Sequence, residues 1–93
     1  MRFTEINILK NKYDGLIKCH EDLEWALSND KTECIVINTD YITYISEPET
    51  CVEYYKPNNV LGRYFYVHTK GGEIFACKES EYDRIVLFLT CCA

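Results

Sequence analysis

The chain has 93 residues, 47% of them hydrophobic, and its fifteen acidic and ten basic residues give a net charge of −5. This length and apolar content predict one folded domain over residues 1–93 rather than a disordered segment. The negative charge argues against a surface that neutralises nucleic-acid phosphates, because such surfaces cluster lysine and arginine. The longest apolar run, residues 85–89, is far shorter than a membrane span. Residues 1–7 lack the apolar core of a signal peptide, so we expect a cytoplasmic protein.

The first two predicted elements are a strand and a helix. Residues 3–8 alternate in the manner of a strand, which puts Ile6 and Ile8 on the same face. Between Leu16 and Leu27 apolar residues recur at helical spacing, and the acidic residues lie mainly on the opposite side. We therefore predict a helix over residues 14–28, with Asp14 as its N-terminal cap.

Three short strands are predicted next, over residues 33–38, 41–46 and 51–55. These segments are rich in isoleucine, valine, threonine and tyrosine, which favour strands. Residues 38–40 can turn between the first two, although one long bent strand fits the pattern equally. Residues 56–59, with the sequence Lys-Pro-Asn-Asn, are predicted to form a loop.

Residues 62–77 predict a β-hairpin, because Gly71-Gly72 can supply the positive φ angles of a two-residue turn. In that register His68 faces Phe75, and Tyr66 faces Cys77. Side chains alternate across a sheet, so the expected core face carries Phe65, Val67, Thr69, Ile74 and Ala76. The opposite face, both aromatic and polar, carries Tyr64, Tyr66, His68, Phe75 and Cys77.

The C-terminal segment is predicted to be a helix over residues 80–91. Ser80 is followed three residues later by Asp83, a pairing typical of a helix N-terminus. The β-branched residues within 84–90 also fit a central strand. Together the elements predict an α+β fold, in which a single antiparallel sheet of about four to six strands packs against one or two helices.

One hypothesis for chemistry involves a cysteine and a histidine. The six cysteines form no C-x-x-C pair and are expected to be reduced in a cytoplasmic protein. The predicted hairpin makes Cys77 and His68 diagonal neighbours on one face, where the imidazole could take the thiol proton. A small cysteine-dependent enzyme that uses these two residues is therefore one hypothesis. The sequence offers no orienting acid or oxyanion loop that can be placed beside them.

No other pattern indicates catalysis, a metal or a cofactor. The sequence contains no phosphate-binding loop, dinucleotide-binding glycine pattern or zinc-protease motif. Cys19 and His20 are adjacent, and adjacent helical side chains point about 100° apart, so they rarely bind the same ion. We therefore expect no metal, no cofactor and no enzymatic activity.

The tyrosines indicate a different kind of site. Eight tyrosines are more than a small core can hold with every hydroxyl satisfied, and tyrosine is enriched at protein interfaces. We therefore predict a partner-binding surface formed by Tyr64, Tyr66, His68, Phe75 and Tyr54, with Glu53 and Glu73 at its rim. In the alternative interpretation, these tyrosines line the edges of a helix-covered sheet and their hydroxyls reach solvent.

The sequence thus predicts a small acidic module that binds another protein, such as one with a basic surface, as a non-enzymatic inhibitor or adaptor. Self-association as a homodimer through the same aromatic face is a related prediction. Length, acidity, tyrosine content and the lack of a catalytic motif are shared by many viral and mobile-element proteins that block host complexes, anti-CRISPR proteins among them. This is an association of general properties rather than a motif. Binding of single-stranded nucleic acid by aromatic stacking is a third hypothesis.

Overall fold

The computed structural model of the protein describes residues 2–91. Its strands are β1 (Phe3–Leu9), β2 (Thr32–Asn38), β3 (Ile42–Ile45), β4 (Glu49–Glu53), β5 (Lys56–Thr69) and β6 (Ile74–Lys78). Its helices are α1 (His20–Asn29) and α2 (Tyr82–Cys91), and short 3-10 turns span Thr39–Tyr41 and Glu79–Glu81. The predicted α+β class is confirmed. Neither helix is long and apolar enough to cross a membrane, within the part of the chain described.

The strands form two antiparallel sheets, so the prediction of a single sheet is wrong in this respect. One sheet pairs β1 with β2, and in the other β3, β4 and β6 all pair with β5. Strands β1 and β6 are close neighbours without a hydrogen-bonded ladder. The backbone N–H of Asn7 instead donates to Glu81 Oε1 at 2.8 Å. A side chain therefore occupies the edge of β1 where a continuous sheet would have placed a strand.

Helix α1 begins at His20, so the predicted start at residue 14 is wrong. The reason is local competition from a side chain. Asn11 Oδ1 accepts hydrogen bonds from the backbone N–H groups of Tyr13 at 2.8 Å and Gly15 at 2.9 Å. Asp14 lies in this turn with φ 63°, which is incompatible with the first turn of a helix. Asp14 is therefore not the helix cap.

The strand predictions are confirmed in number and approximate position, but the predicted loop over residues 56–59 is wrong. Strand β5 already begins at Lys56, which pairs with Glu53. The reversal between β4 and β5 thus falls at Tyr54-Tyr55. Residues 38–41 do separate β2 from β3, and Asn38 Oδ1 accepts the N–H of Asp40 at 2.9 Å.

The β5–β6 hairpin is confirmed, but its register differs by one residue from the prediction. Thr69 N–H donates to Glu73 O at 3.2 Å, which leaves three residues in the loop, and only Gly72 has a positive φ, of 89°. A one-residue shift moves every side chain of a strand to the other face. Cys77 and Phe75 therefore lie on the face of Phe65 and Val67, whereas Ile74 and Ala76 lie on the face of Tyr64, Tyr66 and His68.

Two buried clusters hold these elements together, one on each face of β5. The first joins both sheets and α2 through Ile6, Ile8, Ile37, Phe65, Val67, Cys77 and Ile85. The second lies beneath α1 and comprises Leu9, Leu23, Ala26, Cys51 and Ala76. The predicted C-terminal helix is confirmed, since α2 supplies Ile85 to the first cluster.

The register overturns the geometry that the cysteine-enzyme hypothesis requires. Cys77 pairs with Phe65 in the core, whereas His68 pairs with Ile74 on the opposite face. Burial, together with the negative charge of Glu81, raises the pKa of the Cys77 thiol to about 12, and Arg84 only partly opposes this. A catalytic thiol needs a lowered pKa. The predicted Cys77–His68 pair is therefore wrong. Cys19, Cys34 and Cys51 are also free thiols, and the side chains of Cys91 and Cys92 lie outside the described residues.

Thiol labelling tests this register. We expect iodoacetamide to modify the exposed Cys34 rapidly in the folded protein, and Cys77 only after denaturation, because Cys77 is fully buried. Peptide mapping by mass spectrometry measures both rates in one sample. Equal native rates for Cys77 and Cys34 would contradict the register.

Stability at alkaline pH provides a second test. The ordinary pKa of a cysteine is about 8.5, so above that pH the unfolded chain releases a proton that folded Cys77 retains up to about pH 12. The free energy of unfolding should therefore fall as pH rises, with a contribution from this thiol of about 1.4 kcal/mol per pH unit. Denaturant titrations between about pH 8 and about pH 10 measure the slope below the ordinary pKa of tyrosine.

The control separates Cys77 from the other groups that titrate in this range. Cys77→Ala should make the pH slope shallower even though it lowers stability at neutral pH, whereas Cys34→Ala should leave the slope unchanged. Burial also raises the pKa of the Cys51 thiol, so part of the slope should remain in Cys77→Ala. Equal slopes in wild type and Cys77→Ala would show that the buried thiol does not govern alkaline stability.

Candidate partner-binding site

The predicted aromatic surface is divided between separate parts of the molecule. Tyr64 and Tyr66 are half-buried against the cluster beneath α1. His68 stacks on Tyr44, with ring centroids 4.1 Å apart and an interplanar angle of 10°. Phe75 lies on the opposite face and packs against the first cluster. The prediction that these four residues share one exposed face is therefore wrong.

Tyr64 and Tyr66 have structural contacts of their own. The Tyr64 hydroxyl donates to Glu49 Oε2 at 2.9 Å, and its ring meets that of Tyr66 edge-on at 5.4 Å. Burial, and then the hydrogen bond to Glu49, raise the pKa of Tyr64, and burial also raises the pKa of Tyr66. Both phenols remain protonated in neutral solution. Because the Tyr64 hydroxyl already donates to Glu49, its hydrogen is not available to a binding partner.

Glu73, which was predicted at the rim of the partner-binding surface, makes hydrogen bonds within the protein instead. One of its carboxylate oxygens accepts hydrogen bonds from the Tyr41 hydroxyl at 2.7 Å and the Thr69 hydroxyl at 3.1 Å. The hydrogen bond to Glu73 is the main reason that the pKa of Tyr41 is raised. These contacts connect the β5–β6 loop to the segment before β3.

The two remaining predicted residues, Glu53 and Tyr54, lie in a groove between α1 and the β4–β5 turn. The groove has a volume of about 580 Å³. Its walls include three carboxylates and three large aromatic side chains: Glu21, Glu24 and Glu53, and Trp25, Tyr54 and Tyr55. We call this the acidic groove. It is the concave site that the structure adds to the sequence prediction.

Helix α1 supplies one wall through its residue spacing. Leu23 and Ala26 are buried beneath the helix. Glu21, Glu24 and Ser28, which follow one another at helical spacing, line the groove. Acidic residues in the first turn are also favourable beside the partial positive charge of a helix N-terminus. Glu21, in this first turn, therefore contributes to the acidic wall and also stabilises the helix.

The β4–β5 turn supplies the other wall. Tyr54 is 71% exposed and Tyr55 is 88% exposed, and their rings meet at 85° with centroids 5.0 Å apart. Two adjacent tyrosines at a turn leave a large apolar area in water without contributing to either core. Exposed aromatic side chains of this kind are typical of binding surfaces.

Three contacts hold the two walls in place. The backbone N–H of Tyr54 donates to Glu24 Oε1 at 3.0 Å, which connects the turn to the helix. His20 Nε2 lies 3.2 Å from the carbonyl oxygen of Val52, at the same junction. Within the turn, Asn59 Nδ2 donates to Glu53 Oε2 at 2.8 Å. The groove is thus preformed rather than assembled by a ligand.

The charge of the groove defines what it can bind. Its described lining includes the three carboxylates but neither lysine nor arginine. A cation placed there would meet carboxylate oxygens for charge-assisted hydrogen bonds and aromatic faces for cation–π contact. Among residues 2–91, no three or more potential metal-ligating side chains are placed to hold a metal ion. The carboxylates and aromatic faces of the groove are contacts that an organic cation, such as a lysine or arginine side chain, can use.

Sequence reasoning found only part of this site. The sequence predicts Tyr54 as part of an aromatic sheet face and Glu53 as part of its rim, whereas Glu21, Glu24 and Trp25 fall in the predicted helix and are not among the predicted site residues. The adjacent tyrosines Tyr54 and Tyr55 were the sequence signal that could have identified the site. The predicted loop over residues 56–59 instead placed the chain reversal after them. No family model, curated protein or solved structure matches this chain.

Proposed function

We propose that this protein is a non-enzymatic binding module, acting as an inhibitor or adaptor, which holds a lysine- or arginine-bearing segment of another protein in the acidic groove. The observation that supports the proposal is the convergence of three carboxylates and three aromatic side chains on one preformed groove with neither lysine nor arginine in its described lining. The net charge of −5 would also attract a basic partner over a longer distance.

The partner would supply a segment rather than one cation. An exposed ion pair contributes about 0.2–1 kcal/mol, and an exposed cation–π contact contributes about 0.5–1 kcal/mol. Micromolar affinity requires about 8 kcal/mol, so a single side chain cannot provide it. Several cations and the apolar stems that carry them must engage the groove together.

The available hydrogen-bonding atoms determine how a cation would sit. Glu24 already accepts the Tyr54 amide, and Glu53 already accepts the Asn59 side chain. The exposed Glu21 and the second oxygen of Glu53 are the acceptors offered to a ligand. A guanidinium between these carboxylates could lie against Trp25 or the tyrosine rings, which suits arginine better than lysine.

This mode of binding is compatible with an inhibitor that covers a basic surface. Small acidic proteins that block host complexes, of the anti-CRISPR kind, would act in this manner if the covered surface normally bound an acidic or phosphorylated ligand. An adaptor would use the same groove without blocking an activity. The two roles share their recognition chemistry and differ in the identity of the partner.

The intrinsic fluorescence of Trp25 can test the proposal, because it is the only tryptophan of the chain and lines the groove. We expect titration with a short arginine-glycine peptide to change the emission, and a matched glutamine-glycine peptide to have no effect. Glu21→Gln and Tyr54→Ala should each weaken binding about fivefold, which corresponds to about 1 kcal/mol. Added salt should weaken binding further.

Asp83→Asn is the matched control, since Asp83 is exposed on α2, outside the groove, and its loss changes the net charge as Glu21→Gln does. Affinity should be nearly unchanged in this variant. If Asp83→Asn weakens binding as much as Glu21→Gln, overall charge rather than the groove recognises the peptide. If the arginine peptide does not bind the wild-type protein, the proposal is wrong.

A further inference from the structure

The outer edge of β2 presents a regular row of backbone groups. Lys10 N–H donates to Lys31 O at 3.1 Å, and Thr39 N–H donates to Arg2 O at 2.9 Å. These two hydrogen bonds show which alternate residues of β1 and β2 form the hydrogen-bonded pairs. Residues 33, 35 and 37 of β2 therefore bond to β1. The N–H and C=O groups of the alternate residues point away from β1, and these residues are Thr32, Cys34, Val36 and Asn38.

The opposite edge of the same sheet supports this assignment of inward- and outward-pointing backbone groups. By the same alternation, the N–H of Asn7 in β1 should point away from β2, and it donates to Glu81 Oε1. That edge is closed by a side chain. The edge of β4 is similarly approached by α1, through His20 and the carbonyl oxygen of Val52. Within residues 2–91, β2 pairs only with β1.

Strand β2 lacks most of the features that commonly protect an edge, which are proline, lysine, a bulge and an inward-pointing charge. The β1–β2 register runs without a shift from Phe3–Asn38 to Leu9–Thr32, and the strand sequence TECIVIN contains neither proline nor lysine. Its one charge, Glu33, is on the inner face with Ile35 and Ile37, but it is the second residue of the strand and is paired with Lys10 at 3.0 Å. Val36 is 65% exposed on the outer face.

An open groove of about 450 Å³ lies beside this edge. Ile35 and Ile37 line it from β2, and Phe75 lines it from β6. Polar residues of the lining come from the turn after β2 and from the β5–β6 loop, and include Asp40 and Lys70. The inward-pointing side chains of an added strand could lie beside Ile35, Ile37 and Phe75. The edge of β2 therefore offers hydrogen-bonding backbone groups to an added strand, and the groove offers space for that strand's side chains.

We propose that β2 pairs antiparallel with β2 of a second copy of this chain, about a two-fold axis at Ile35. In this register Cys34 faces Val36 of the other copy, Thr32 faces Asn38, and Ile35 faces itself. The outward residues form hydrogen-bonded pairs, which give about eight backbone hydrogen bonds. Shifting the register by two residues in either direction leaves part of the strand unpaired.

The sequence of β2 is largely complementary to itself in this register. Cys34 faces Val36, Ile35 faces Ile35 and polar Thr32 faces polar Asn38, whereas Glu33 faces Ile37 rather than Glu33 of the other copy. The two Glu33 residues are four positions apart along the strands, or about 13 Å, which exceeds the Debye length of about 8 Å at physiological salt. The pairing thus avoids a direct clash of like charges.

Sedimentation analysis of the full chain between about 1 μM and about 1 mM tests this proposal. We expect a monomer–dimer equilibrium in the wild-type protein that salt strengthens, because each copy carries a charge of −5. Val36→Pro should shift the equilibrium to monomer. Its missing N–H points outward, so the β1–β2 ladder stays intact, and proline is tolerated at strand edges. Val36→Thr, which keeps the N–H, should still dimerise.

Amide hydrogen exchange in the wild-type protein gives a readout that does not depend on a variant folding. The amides of Cys34 and Val36 should become protected as protein concentration rises, whereas those of Ile35 and Ile37 should be protected at every concentration. A wild-type protein that stays monomeric to about 1 mM overturns the proposal. So does a dimer in which the Cys34 and Val36 amides exchange freely.

This inference is independent of the acidic groove, and the experiments separate the two. Salt should strengthen the dimer and weaken binding of the arginine peptide. Val36→Pro should leave peptide binding intact, and Glu21→Gln should leave the dimer intact. A negative result for peptide binding would therefore not bear on the β2 dimer, and a monomeric protein would not bear on the acidic groove.

Discussion

The pairing of β5 with β6 is the constraint on which the rest of the structure depends. Both cores meet at this pair, since Phe65, Val67 and Cys77 point into one and Ala76 points into the other. The three-residue loop that ends at Gly72 sets the register. Because alternate side chains of a strand point to opposite faces, a shift of one residue in β6 would move Cys77 to the face beneath α1 and Ala76 to the face of Phe65 and Val67. The position of one loop thus decides the composition of two cores.

Much of the fold was predictable from the sequence, and the errors have identifiable local causes. Strong periodicity gave β1, the core of α1 and α2, because burial of one face dominates those segments. The start of α1 was missed because Asn11 binds backbone N–H groups that a helix would have used. The hairpin register was missed because two adjacent glycines fit both a two-residue turn and a three-residue loop.

The candidate site was less predictable than the fold, for a different reason. Glu53 and Tyr54 are held close to α1 by long-range contacts, such as the hydrogen bond in which Glu24 accepts the Tyr54 amide across thirty positions of sequence. Such a contact leaves no periodic signal in the sequence. The tyrosines that looked most available, Tyr64 and Tyr66, alternate correctly for a strand face, but that face is covered by α1. Alternation identifies the faces of a strand without showing what covers each one.

Because the part of β5 over residues 61–69 is covered on both faces, it offers no broad sheet face to a partner, and the surfaces proposed for binding lie at a turn and at a strand edge. The side chains of the β4–β5 turn contribute little to either core. Substitutions at Tyr54 or Tyr55 should therefore cost little stability, as is usual for exposed positions. Such a division between core and turn would let the protein change partners over evolutionary time while the fold is preserved.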